Sequence, residues 1–162
     1  MNAFTGIALY KGLPDKQIYI LFHYITCFFL SIRKLRVIKH SHAEICIDGI
    51  CYSSSVRDGG VRSKEIDLNH DKWDLLELQM TEKEKQESLE IFKTMQNKSY
   101  DFIGALGVVL SFIKDSVDKF FCFEVVARML NMQNPSKVTP LELKKVSEIW
   151  KQRTLKKEDH LM

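Results

Sequence analysis

A two-residue turn, Asp48-Gly49, constrains the fold of this 162-residue chain more than any other short feature. An Asp-Gly pair between two β-compatible runs is a strong signal for a tight hairpin. A tight turn pairs Ile47 with Ile50, and this pairing fixes the register of both strands. The sequence therefore predicts a β-hairpin over residues 42–57.

The two faces of the predicted hairpin differ in chemistry because side chains alternate along a strand. One face is apolar and is expected to lie against the core: Ala43, Ile45, Ile47, Ile50, Tyr52 and Val56. The other face carries polar groups and thiols: His42, Glu44, Cys46, Cys51, Ser53 and Ser55. The polar face suits the wall of an active site, and a plain solvent-exposed face is the alternative.

Cys122 is predicted in the first turn of an apolar helix, within the segment 120–130. Unpaired N–H groups and the positive end of the helix dipole favour a thiolate at that position. A thiolate needs a base to hold its proton, and His42 is the best candidate. We therefore predict a cysteine–histidine site built from two distant segments, with an ordinary buried thiol as the alternative.

Length and composition indicate one folded domain over residues 1–162, because a chain of this size can bury a core, 45% of its residues are hydrophobic and 28% are charged. The net charge of +3 gives no reason to predict nucleic-acid binding. The four cysteines show neither a CxxC pair nor zinc spacing, which predicts four unbridged thiols, a reducing compartment and no metal site. His40 and His42 could face a metal together, but they lack a partner at ligand spacing. We also expect no cofactor, and a cytoplasmic protein, since no signal peptide is visible.

Local patterns predict the remaining elements. Residues 18–32 are apolar over about fifteen positions, short of the ~20 of a membrane span. We expect a buried or half-buried helix there, with an interfacial helix as the alternative because basic residues 33–36 follow. The other expected elements are strands over 6–10, 61–68 and 73–78, a helix from an N-cap at Thr81 to about residue 97, a helical segment over 100–113, and a last helix over 139–153.

Several of these pieces, in this order, resemble the circularly permuted branch of the NlpC-type papain-like cysteine hydrolases, and within it small proteins of phage and prophage origin. The matching pieces include Ala8-Leu9-Tyr10-Lys11-Gly12, Ser41-His42-Ala43-Glu44, residues 55–62, Tyr100-Asp101-Phe102-Ile103-Gly104 and Phe121-Cys122-Phe123-Glu124. In that branch the histidine strand precedes the cysteine helix. The resemblance spans residues 6–130 and implies a permuted papain-like α+β fold, with a small antiparallel sheet or partial barrel packed against helices.

The resemblance also implies roles for individual residues. Cys122 matches the nucleophile and His42 matches its acid–base partner. Ser53 matches the residue that orients the imidazole, with Glu44 as an alternative on the same face. The residues themselves, apart from the resemblance, give four candidates for substrate binding: Tyr100, Arg57, Arg62 and His23. The alternatives are helix capping for Tyr100, salt bridging for the two arginines and core burial for His23.

Such residues would carry out acyl transfer on an amide or ester. The implied substrates include peptidoglycan peptides, other amides and lipid acyl esters, and the implied setting is a phage-infected bacterial host. Two other functions stay open. The first is a catalytically decayed module that acts on a host protein by contact, because Ser53 is a weak orienting group. The second is a membrane-associated acyltransferase or lipase, because residues 18–32 are apolar and a basic run follows them.

Overall fold

The computed structural model describes residues 3–13, 24, 27, 28, 31, 39–101 and 118–159. The strands within these residues are β1 Gly6–Tyr10, β2 His42–Ile47, β3 Ile50–Ser55, β4 Gly60–Glu65, β5 Trp73–Glu77, β6 Ser99–Tyr100 and β7 Lys119–Phe120. The helices are α1 Glu82–Met95, α2 Cys122–Met129 and α3 Pro140–Asp159, with a 3-10 turn at Pro135–Lys137.

The strands form one sheet in the order β5-β1-β2-β3-β4-β6-β7. Neighbouring strands are antiparallel, except that β6 and β7 are parallel. The protein is therefore an α+β protein with a mostly antiparallel sheet, which confirms the expected general fold class.

The register predicted from the turn is confirmed. Ile47 pairs with Ile50, and Cys46 pairs with Cys51. Asp48 and Gly49 have φ values of 50° and 86°, the left-handed pair that a tight two-residue hairpin turn requires. The hairpin thus fixes which β2 and β3 side chains share a face.

The apolar face of the hairpin lies against the core, as predicted. Ala43 and Ile45 are fully buried, and Tyr52 packs edge-on against Phe92 of α1 with ring centroids 4.9 Å apart. Helix α2 packs on β2 and β3 and contributes Val125 among other buried side chains. Burial of this apolar surface is what holds α2, and hence its first residue, on the sheet.

The polar face is also buried. Glu44, Cys46, Cys51 and Ser53 are each 0% exposed, so the alternative of a plain solvent-exposed face is wrong. Trp73 of β5 covers part of the same face. Polar groups that are buried in this way need partners, and those partners define the candidate site.

The prediction of four unbridged thiols is wrong, because Cys46 and Cys51 form a disulfide. The cause is the tight turn itself, which sets the two cysteines directly opposite each other with their Cα atoms 4.1 Å apart. Cys27 and Cys122 lie outside the disulfide. The argument from unbridged thiols for a reducing compartment no longer holds.

The predicted boundaries of the helices and of strand β4 are partly confirmed. Thr81 caps α1 through a capping box, since its hydroxyl accepts from the Glu84 N–H and the Glu84 carboxylate accepts from the Thr81 N–H. The last helix starts at Pro140 as predicted and runs to Asp159. Strand β4 stops at Glu65, short of residue 68, because its last partner Ile50 begins β3.

Two apolar segments fall largely outside the described residues. A helix starting at residue 100 is wrong, because Tyr100 lies in β6 and pairs with Phe120 of β7; residues 102–113 lie outside the described part. In 18–32, the described positions 24, 27, 28 and 31 are helical, whereas His23 lies outside. Across the described residues, no helix combines the length and the apolar character needed to cross a membrane.

Candidate active site

Cys122 is the first residue of α2, as predicted, and its side chain is buried. The preceding residue, Phe121, has an extended backbone (φ −104°, ψ 167°) and a side chain that cannot accept a hydrogen bond from the helix. The N–H groups of the first turn therefore receive no side-chain cap from Phe121. Strand β7 fixes the backbone that leads into α2, because the Asp101 N–H donates to the Phe120 carbonyl at 3.1 Å.

The structure brings His42 and Cys122 together. His42 is the first residue of β2, with a side chain 23% exposed, and its imidazole lies close enough to Cys122 for the two groups to interact. Its Nε2 lies 2.7 Å from Oε1 of Glu44, which leaves Nδ1 for the thiol. The ring also meets Trp73 edge-on, with centroids 6.3 Å apart.

The charge state of His42 follows from these contacts. Burial by itself lowers the pKa of the imidazole, because desolvation disfavours the charged form. The charge of Cys122 and the hydrogen bonds to Cys122 and Glu44 outweigh burial and raise the pKa of His42 to about 9. An imidazolium therefore faces Cys122 at neutral pH.

Glu44 is the group that orients His42. Its carboxylate is fully buried and receives two hydrogen bonds from Arg62, at 2.6 Å and 2.5 Å, besides its contact with His42. Burial raises the pKa of this carboxyl, but the hydrogen bonds from Arg62 and His42 prevail and hold it below its usual value. Glu44 is thus an ionised partner for the imidazolium.

The two serines near His42 have other partners. Ser53 donates its hydroxyl hydrogen to the carbonyl oxygen of Ala43 at 2.6 Å. The hydroxyl of Ser55 accepts from the Arg57 N–H at 3.2 Å. Of the two residues that the sequence offers as orienting groups, the structure places Glu44, and not Ser53, against the imidazole.

Tyr100 lies near Cys122, whereas Arg62 lies against Glu44. Tyr100 is half-buried, and its pKa is raised well above the usual value by burial, with the charges of Cys122 and Asp101 adding to the effect. Tyr100 therefore keeps its proton close to the thiol. Arg62 is engaged by Glu44 and Asp58, so salt bridging, the alternative for this residue, describes it. Arg57 is exposed on the turn before β4.

Sequence reasoning missed the bond between Arg62 and Glu44. The signal lay in the second hairpin, where Ser53 pairs with Arg62. Because β3 lies between β2 and β4, this register sets Arg62 in the same row as Glu44 and on the same face. Reading the β3–β4 register as closely as the β2–β3 register would have found the pair.

Metal-ligand geometry is not found in the described part of the chain: no three His, Cys, Asp or Glu side chains there are grouped to hold an ion. His40 binds Asp74 through Nε2 at 2.7 Å and so points to a different partner from His42.

A separate pocket of about 500 Å³ lies between β5 and α3, with Trp73, Lys11 and Lys144 among its lining residues.

The site joins a thiol, an imidazole, a carboxylate and a guanidinium in that order: Cys122, His42, Glu44 and Arg62. Comparisons with family models, curated proteins and solved structures find no match to this chain. Inference about function therefore depends on the geometry of these four residues.

Proposed function

We propose that this protein is a cysteine hydrolase of the permuted papain-like type, which cleaves amides or esters through an acyl-thioester on Cys122. The observation that carries the proposal is that the imidazole of His42 interacts with Cys122 and is hydrogen-bonded to the buried carboxylate of Glu44. A thiol, a base and an orienting group connected in this way form the arrangement that nucleophilic catalysis needs.

The first half of the reaction forms the thioester. The Cys122 thiolate attacks the substrate carbonyl carbon, a C–S bond forms, and the carbonyl electrons move onto oxygen. The Cys122 N–H at the start of α2 and the Tyr100 hydroxyl are the donors proposed to stabilise that oxyanion. His42 then gives its proton to the leaving nitrogen or oxygen as the bond to carbon breaks.

The second half releases the acyl group. His42, now neutral, accepts a proton from water as the water oxygen attacks the thioester carbon. The C–S bond breaks and the thiolate is restored beside the imidazolium. Glu44 stabilises the imidazolium in both halves because it lies 2.7 Å from the ring and is ionised.

The buried carboxylate also bears on the alternative of a decayed binding module. That alternative was motivated by a serine as the orienting group, which would bring no charge to the imidazolium. Glu44 supplies the charge instead, which favours an active enzyme. The substrate class we propose is an amide or ester, with peptides of peptidoglycan among the candidates.

An acylation experiment tests the proposal. Wild-type protein is incubated with p-nitrophenyl acetate, p-nitrophenol release is followed, and the acetylated residue is located by peptide mass spectrometry. We expect acetyl on Cys122 and turnover that Cys122→Ala and His42→Ala abolish, whereas the matched Cys27→Ala variant retains it. Equal turnover in Cys122→Ala and wild type would overturn the proposal.

A further inference from the structure

The carboxylate of Glu44 is the inner end of a series of alternating charges that reaches the surface. Arg62 binds both oxygens of Glu44 through its two terminal nitrogens. The Nε of Arg62 donates to Asp58 at 2.8 Å, and Lys64 donates to the same carboxylate at 2.8 Å. The exposed fraction of the side chains rises outward, from 0% for Glu44 to 15% for Arg62 and 40% for Lys64.

A buried carboxylate without a cation would take up a proton, because desolvation disfavours its charged form. A protonated Glu44 would still contact His42, but it would bring no charge to the imidazolium. His42 alone can neutralise one carboxylate charge, and it must give up its own proton during the proposed reaction. Arg62 is the cation that stays charged throughout, since its guanidinium does not titrate in the working range.

The sheet is built to let Arg62 reach its partner. Arg62 lies on β4 and Glu44 on β2, so the arginine side chain crosses β3 at the position of Ser53, its partner in register. Ser53 is fully buried and small, and it turns its hydroxyl to the backbone of Ala43. A large side chain at that position would stand between the guanidinium and the carboxylate.

We propose that Arg62 is a positioning residue for the Cys122–His42 pair, which it serves by keeping Glu44 ionised and its carboxylate fixed against the imidazole. This inference depends on the proposed function. Arg62 touches no reacting atom and acts through Glu44.

The charged and titratable groups that bear on this pair come from several elements. They are His42 on β2, Cys122 on α2, Asp58 and Lys64 around β4, and Tyr100 on β6 beside Cys122. On β1, the residue paired with Glu44 is Ala8, which carries no charge. Among the described residues, Arg62 is therefore the cation in direct contact with Glu44, besides His42.

The test follows alkylation of Cys122 by iodoacetamide from pH 5 to 10, read by peptide mass spectrometry, in wild type, Arg62→Lys and Arg62→Met. We expect the rate at pH 6, relative to that at pH 9.5, to fall by roughly tenfold in Arg62→Met. Arg62→Lys keeps the cation but loses the two-pronged contact, so its loss should be smaller. The control Arg153→Met removes an ion pair between Arg153 of α3 and Glu84 of α1, and it should keep the wild-type profile.

A double variant separates positioning from folding. Glu44→Gln/Arg62→Met carries no unpaired buried charge, so its pH profile of Cys122 alkylation can be measured even where Arg62→Met alone does not fold. If Arg62 acts through Glu44, this double variant has the same pH profile as Glu44→Gln, and both are shifted from wild type. A further loss in the double variant, or a wild-type profile in folded Arg62→Lys and in the double variant, overturns the inference.

Failure of the proposed function looks different. In that case the wild-type alkylation rate at pH 6 would not depend on His42, and His42→Ala would match wild type. Failure of the inference leaves the dependence on His42 intact and removes the dependence on Arg62 alone.

Discussion

The hydroxyl of Ser53 donates to the carbonyl oxygen of Ala43 at 2.6 Å, so it braces the β2–β3 hairpin and does not orient the imidazole. Ser53→Ala should therefore lower the free energy of unfolding by about 1 kcal/mol and leave turnover of p-nitrophenyl acetate within about twofold of wild type. Glu44→Gln should lower turnover by roughly tenfold or more, since it removes the charge next to His42. Urea unfolding and steady-state kinetics on both variants measure the two effects. A larger loss of turnover in Ser53→Ala than in Glu44→Gln would reverse the assignment.

The proton on His42 gives a prediction that needs no substrate. Because its pKa is raised from 6.5 to about 9, the imidazolium should persist well above neutral pH and lose its proton as the pH rises through about 9. Nitrogen NMR of the imidazole across pH 5 to 11 should show that midpoint. Cys122→Ala and Glu44→Gln should each move the midpoint to lower pH, because each removes a group that favours the charged ring. A wild-type midpoint near 6.5 would mean that the ring does not face the thiol and the carboxylate in solution.

Much of this site could be predicted from sequence because short-range rules governed it. Asp48-Gly49 set the register, and the register set the face that His42 and Glu44 share. The position of Cys122 at a helix start followed from the apolar run after it.

The parts that were missed depend on pairings that local patterns do not encode. Strand β7 has two residues, Lys119 and Phe120, and exists because β6 lies beside it. The disulfide was missed although the predicted register already placed Cys46 opposite Cys51. Strand pairing is therefore a better guide to this disulfide than the spacing of the cysteines along the sequence.

The disulfide predicts a simple labelling pattern. In denaturant without reductant, iodoacetamide should label Cys27 and Cys122, and reduction should add Cys46 and Cys51. For a sequence separation of 5, loop closure predicts that Cys46→Ala/Cys51→Ala lowers the free energy of unfolding by about 2 kcal/mol. Labelling of all four cysteines without reductant would show that the bridge is not formed.

Gly60 is the first residue of β4, and its backbone lies close to that of Lys98. A Cβ at this position would overlap the carbonyl oxygen of Lys98, on the chain entering β6. We expect Gly60→Ala to lower the free energy of unfolding by about 3 kcal/mol. Gly59→Ala is the matched control, because Gly59 has φ 81° with open space around it, so its cost should be about 1 kcal/mol, from backbone strain alone. Equal losses in the two variants would rule out the overlap as the cause.

The order of the site residues along the chain has a consequence for biosynthesis. His42, Glu44 and Arg62 lie on β2 and β4, within three consecutive strands joined by short turns, whereas Cys122 comes much later. A ribosome releases the chain from its N-terminus, and local strand pairings can form before the later segments emerge. A nascent or truncated chain that ends before α2 thus carries His42, Glu44 and Arg62 without Cys122, so under the proposed function it could not form the acyl-thioester.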